Sequence, residues 1–172
     1  MAWRLRRAET GDAPALSLVA AASFLETFAG ILAGDDIVAH VTNKSAPVAF
    51  ADWIADPASI VMIATHPDGG APVGYTVLTT PDDVGETRPG DVELRRIYTL
   101  SIARGTGLGA ALMAHAITDA RGLGGSRMLL GVFAGNHRAR AFYERHGFSV
   151  IADRRFRVGV TWHDDRVYAR DV

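Results

Sequence analysis

The chain has 172 residues, 48% of them hydrophobic and 22% charged, the balance of an ordinary globular domain able to bury about two-thirds of its surface. It has no cysteine, which excludes disulfides, thiolate metal sites, iron–sulfur clusters and a cysteine nucleophile. Its formal net charge of −1 is a cancellation: residues 1–86 carry four basic and eleven acidic side chains, and residues 87–172 carry fourteen arginines and eight acids. An arginine-rich half suits a polyanionic ligand and an acidic half a cationic one, and an unevenly charged solvated surface reads the same way.

The arginines are scattered without interleaved aromatics, which speaks against nucleic acid as a partner. No apolar run reaches the ~20 residues of a membrane span. The basic start over residues 1–7 lacks the apolar core and cleavage site of a secretory signal. A cytoplasmic protein with no membrane partner is the expectation.

Alternation of Trp3, Leu5 and Arg7 against Arg4 and Arg6 predicts a short first strand over 2–8. Asp12 and Pro14 mark a helix start, the one as cap and the other where its missing N–H costs nothing. Leu16, Val19, Ala20 and Phe24 carry that helix on, and Gly30 and Gly34 punctuate it. Asp35-Asp36 opens a second helical stretch through Ile37, Val38 and Val41, and a weaker third covers 48–55. Residues 59–64 and 73–79 read as a hairpin around His66-Pro67-Asp68-Gly69-Gly70, and 81–90 as a solvated loop. A long strand over 91–100, a glycine-rich turn, a helix through Leu112, Met113, Ala116, Ile117 and Ala120, and a strand over 127–133 follow. Asn136 caps a last helix whose Ala139, Phe142, Tyr143 and His146 share a face, with Gly147 as its left-handed terminator. Strands over 148–152 and 161–169 close a single mixed-sheet α/β domain spanning residues 1–172.

The chemistry begins at Arg104-Gly105-Thr106-Gly107-Leu108-Gly109-Ala110, which leaves a strand and opens a helix. Glycines let a ligand approach the backbone closely, and the unpaired N–H groups of a helix N-terminus attract phosphate. The dinucleotide fingerprint G-x-G-x-x-G does not fit glycines at every second residue, and a Walker loop needs a Gly-Lys-Ser/Thr end that is missing here. A merely structural tight turn stays open at this point.

Arg104-x-x-Gly107-x-Gly109 resembles the R/Q-x-x-G-x-G/A pyrophosphate loop of the GNAT N-acetyltransferase superfamily. Glu93-Leu94-Arg95-Arg96-Ile97-Tyr98-Thr99-Leu100 resembles that family's fourth strand, and residues 136–148 are similar to its N-x-x-A-x-x-F-Y-E-x-x-G-F segment. The resemblance spans about residues 2–170. It implies a central twisted mixed sheet of six or seven strands flanked by about four helices, with acetyl-CoA as co-substrate. The backbone amides of Arg104, Gly105, Thr106, Gly107, Leu108, Gly109 and Ala110 would cradle the CoA pyrophosphate. A bulge around residues 98–102 would part the fourth strand from the fifth and expose backbone to the pantetheine arm. Asn136 would hydrogen-bond that arm, which is compatible with its being a plain N-cap.

Acetyl transfer from a thioester to an amine needs a neutral amine, a stabilised oxyanion and a protonated leaving thiolate. The resemblance makes Tyr143 the general acid, against its reading as a core aromatic beside Phe142, and makes a backbone N–H near Leu100 or Ile102 the oxyanion donor. Glu93 is the candidate base, with a surface ion pair to Arg95 or Arg96 as its other reading. The histidines lack metal-ligand spacing with carboxylates, so no metal is expected.

The segment Ser23-Phe24-Leu25-Glu26-Thr27-Phe28 with Asp35-Asp36-Ile37 resembles bacterial spermidine/spermine N-acetyltransferases of the same superfamily, as do Phe156-Arg157-Val158-Gly159 and Asp165-Arg166-Val167. This implies a polyamine held by Glu26, Asp35 and Asp36; helix-start acids satisfied by the helix dipole are the other reading of the two aspartates. The expected function is acetyl-CoA-dependent N-acetylation of a small molecule's primary amine by direct attack on the thioester. A protein N-terminus or lysine is the alternative acceptor, and a non-catalytic acyl-CoA sensor the alternative class. Relatives of this kind are often homodimers, so that assembly is open to this chain as well.

Overall fold

The apolar run Ile60–Thr65 (β2) is buried on both faces, as an unbroken stretch of β-formers without polar alternation requires. Val61 and Ile63 pack into one layer of the core, Met62 and Ala64 into another. In the computed structural model, which describes residues 2–172, β2 lies between β1 (Arg4–Arg7) and β3 (Pro72–Thr79). The sheet continues through β4 (Asp91–Thr99), β5 (Arg127–Phe133) and β7 (Thr161–Asp171) to β6 (Ser149–Val158) at the far edge. Neighbouring strands are antiparallel except β4 and β5, which run parallel.

Among the described residues the mixed α/β fold thus has seven strands and five helices, in line with the expected six or seven strands and about four helices. α1 (Ala13–Phe28) and α3 (Pro47–Ala55) bury Leu16, Val19, Ala20 and Phe50 against β2 and β3 on one face, where α2 (Gly34–Lys44) also lies. α4 (Leu108–Gly122) and α5 (His137–Arg145) cover the other face with Met113, Ala116, Ala120 and Tyr143. The weak stretch that becomes α3 begins with Pro47 in its first turn, where a missing N–H is no loss.

Two local expectations are corrected. Asp12 does not cap α1: its carboxylate turns back to accept from the Glu9 N–H (2.8 Å) and from Arg6 (2.6 and 2.8 Å), because a 3-10 turn over Thr10–Asp12 precedes the helix. The last hairpin is also longer than expected, with β6 running on to Val158. Residues 153–157 lack apolar alternation because this edge strand is largely solvated, and the ladder to β7 carries it instead.

Asp36 anchors the tip of that hairpin. It is buried, and its two oxygens accept from the Val160 N–H (2.9 Å) and the Thr161 hydroxyl. These bonds hold its carboxyl below the usual range. The stability it contributes is therefore fully present above its unfolded value near 4 and is lost as pH falls through the lower folded value. Asp36→Asn is expected to melt below wild type at pH 7, with the gap closing only as pH falls below about 4 and through the lower folded value. A constant gap in thermal denaturation across that range would assign the acid sensitivity to other carboxylates.

Candidate active site

β4 and β5 pair only at their starts, residues 91–93 against 127–129, beside the bidentate ion pair of Asp91 with Arg127 (2.8 and 2.7 Å). Beyond Glu93 the strands part. The register of β4 against β3 slips between Leu94, opposite Leu78, and Arg96, opposite Val77, which leaves Arg95 as the extra residue of a bulge. Bulges bend and twist a strand. The bulge is therefore at Arg95 and not around residues 98–102. It also resets side-chain parity: Leu94 and Ile97 pack on the α4–α5 face, while Arg96 and Tyr98 turn to α1 and α3.

The parted strands form the floor of a cleft of about 1010 Å³. The Leu100 N–H donates to the Val73 carbonyl on β3 (2.8 Å), so it is not free to act as an oxyanion donor. Neither Leu100 nor the exposed Ile102 lines the cleft, whereas Ile97 and Thr99 do. Backbone groups alternate along an extended strand, so with Leu100 turned to β3 the N–H groups of Ile97 and Thr99 face the gap.

At one end of the cleft lies the glycine loop. Gly105 and Gly107 take left-handed φ values of 73° and 86°, which favour glycine. Gly107 immediately precedes α4, and the N–H groups of Gly105, Gly107, Leu108, Gly109 and Ala110 find no acceptor among the described residues. The other two expected amides are occupied, Arg104 N–H by Ser101 (3.0 Å) and Thr106 N–H by Ala103 (3.4 Å). The Thr106 hydroxyl pins the loop, donating to Ala103 (2.6 Å) and accepting from the Trp3 indole (2.8 Å). Burial and the charge of Arg104 lower the Arg138 pKa, so two guanidinium groups stand near each other with this helix start. Free amides, a helix N-terminus and paired cations make a cradle that fits a diphosphate.

Tyr143 is buried in α5 against Phe142 and Phe148, yet it also lines the cleft. Its hydroxyl has no hydrogen-bond partner among the described residues, and burial raises the phenol well above its ordinary value. Asn136 caps α5, its Oδ1 accepting from the Ala139 N–H (3.1 Å), which leaves its amide NH₂ for a ligand. Glu93 is 5% exposed and lines the cleft, its Oε2 accepting from the Asp82 N–H and from Arg95, both at 2.9 Å.

The acids expected to hold a polyamine are not assembled. Glu26 lines the cleft, but its oxygens accept from the Ser101 N–H (2.8 Å) and hydroxyl (2.9 Å), and Arg104 stands 3.9 Å away. Asp36 serves the hairpin, and Asp35 is exposed away from the cleft. The segments that resemble the polyamine acetyltransferases contain Phe24, Phe28, Phe156 and Asp165, but the sequence did not show that these meet Tyr98, Phe133, His40, His163 and Arg154 in one wall on the α1–α2 side of the cleft. His40 stacks on Phe24 at 4.2 Å and is pushed down to about 4 by burial and by Arg96 and Lys44, so it is neutral at pH 7. The period-2 spacing of His163 and Asp165 was the available signal for part of that wall. Among the described residues no group of three or more His, Asp or Glu converges on a metal site, and no helix is long and apolar enough to cross a membrane.

A sheet wedged open beside a phosphate-seeking helix start is the geometry of an acyl-CoA-dependent transferase. Residues 25–148 match the model of the Acetyltransferase (GNAT) family, and the chain belongs to that family. It is 35% identical over 161 residues to uncharacterized N-acetyltransferases of Mycobacterium tuberculosis and Mycobacterium bovis, across 94% of this chain and 98% of each of those. In fold it is similar to the PaiA N-acetyltransferase of Thermoplasma acidophilum in complex with coenzyme A (TM-score 0.81, 19% identity, 100% of both chains). It is also similar to the ribosomal-protein-S18-alanine N-acetyltransferase of Escherichia coli (TM-score 0.68, 20% identity, 99% of this chain and 94% of that one). The protein is an acetyltransferase whose acyl donor is acetyl-CoA.

Proposed function

We propose that this chain, working as one domain in the cytoplasm, moves the acetyl group of acetyl-CoA to the primary amine of a small molecule by direct attack on the thioester. The observation that carries the reading is the two-sided cleft, with unpaired loop amides toward α4 and an aromatic wall toward α1 and α2. The amides of Gly105, Gly107, Leu108, Gly109 and Ala110, with Arg104, hold the pyrophosphate, and Asn136 meets the pantetheine arm. The N–H groups of Ile97 and Thr99 stand where the thioester carbonyl gains negative charge. As the nitrogen bonds the acetyl carbon, the carbon–sulfur bond breaks and Tyr143 protonates the sulfur. Glu93 receives the proton that the nitrogen gives up, through a water. A polyamine has less behind it than a smaller amine, because Glu26, Asp35 and Asp36 do not share a pocket.

Thiol release from acetyl-CoA against spermidine, spermine, amino acids, simple arylalkyl and alkyl amines, an aminoglycoside and a lysine peptide tests this. Release with small amines is the expected result. Release with the peptide alone would move the acceptor to protein, and silence with acetyl-CoA still bound would overturn the reading.

A further inference from the structure

The acceptor wall contains a carboxylate to which the reading above gives no role. Asp165 is 4% exposed and lines the cleft. On the sheet it stands opposite Phe133 of β5 and Arg154 of β6, with His163 and Phe156 paired one step along the same face. Arg154 holds one oxygen, Oδ2, at 3.2 and 3.3 Å; the other, Oδ1, has no hydrogen-bond partner among the described residues. The Arg154 guanidinium reaches that place over Gly131, where any side chain would collide with it, and continues to the Asp83 carbonyl in the loop between β3 and β4. Around the carboxylate the rings are continuous: Phe28 meets Phe133 at 6.3 Å, Phe133 meets His163 at 5.7 Å, and Arg154 lies over Phe156 at 5.0 Å.

We propose that the acceptor amine is seated on the free oxygen of Asp165 with its carbon body against Phe28, Phe133 and Phe156, so that the enzyme selects a primary amine on a flat apolar body over a polycation. The inference rests on the small-amine reading above. An apolar wall rewards apolar contact area, and it cannot solvate a second ammonium. Of the other carboxylates that line the cleft, Glu93 and Asp82 are engaged by Arg95 and Glu26 by Ser101, while Asp83 stands exposed in the loop between β3 and β4. Asp165 is thus the buried carboxylate on this wall that keeps an oxygen without a partner among the described residues. Burial raises the Asp165 carboxyl despite Arg154, which suits it to take the first proton as the ammonium becomes the attacking amine, the second, lost as the nitrogen bonds the acetyl carbon, going to Glu93.

The test compares kcat/KM for 2-phenylethylamine and spermidine, with thiol release from acetyl-CoA as the readout. Phenylethylamine is expected to lead by about tenfold or more, and Asp165→Asn to lower its kcat/KM by about tenfold with the KM for acetyl-CoA within about twofold. Phe156→Ala, at a half-buried position, reads the wall independently of the ion pair: the lead of phenylethylamine should shrink by about fivefold or more. A lead for spermidine, an Asp165→Asn enzyme within about twofold of wild type, or an unchanged preference in Phe156→Ala overturns this inference alone. Release with no amine at all, acetyl-CoA being bound, overturns the small-amine reading and this inference with it.

Discussion

Tyr143→Phe is expected to lower kcat at pH 7 by about 10²–10⁴-fold while the affinity for acetyl-CoA stays within about twofold. The substitution is clean because the hydroxyl has no partner among the described residues, so its loss strands no buried group. The ring keeps its contacts with Phe142 at 5.6 Å, Phe148 at 5.9 Å and Tyr168 at 6.2 Å, and α5 keeps its place. What goes is the hydroxyl proposed as proton donor at the cleft wall. Burial raises the phenol, so wild-type activity should show no alkaline decline from this residue up to about pH 10. Turnover by thiol release, set beside calorimetric binding of acetyl-CoA, separates the outcomes. Unchanged kcat would mean that the thiolate leaves without help from Tyr143, and parallel loss of binding and turnover would make the residue structural.

The elements most legible in the sequence are those whose signals are local. The run Ile60–Thr65, the Gly69-Gly70 turn, Asn136 as cap and Gly147 with its φ of 82° each announce their structure within a few residues. The glycine loop belongs with them, since its conformation follows from Gly105 and Gly107 themselves. What was not legible depends on distant partners. The bulge at Arg95 exists because of how β4 meets Val77 and Leu78 on the neighbouring strand, and nothing in residues 93–97 marks it. Glu26 and Asp36 look available for a cation until Ser101, 75 positions away, and Thr161, 125 positions away, claim them. The wall proposed for the acceptor is the extreme case: Phe28, Phe133, Phe156 and Asp165 come from four separate elements, and only the sheet order brings them together. The half of the cleft proposed for the donor is a sequence motif, and the half proposed for the acceptor is a product of topology.

That division carries over to stability, and Phe50→Ala exposes it. Phe50 is fully buried, edge-on to Trp53 (5.4 Å) and Tyr75 (5.6 Å), with the Arg96 guanidinium 5.7 Å from its ring. Truncating a buried Phe costs about 3–5 kcal/mol, a large share of the roughly 5–15 kcal/mol that holds a domain folded. For a chain of this length the melting temperature should fall by roughly 10 °C. The damage should reach the acceptor side of the cleft first, since Tyr75 stacks on Tyr98 at 5.9 Å, and both Tyr98 and Arg96 line it. The glycine loop rests on other neighbours: Leu108 and Leu112 of α4 are buried with Met62, Ala64, Val73 and Ala103. Well below the melting range, the folded variant should therefore keep its KM for acetyl-CoA within about twofold while the KM for the amine rises by about fivefold or more. Denaturation curves and the two KM values, measured on one preparation, decide it. Equal increases in both would mean that the two halves of the cleft move as a single unit.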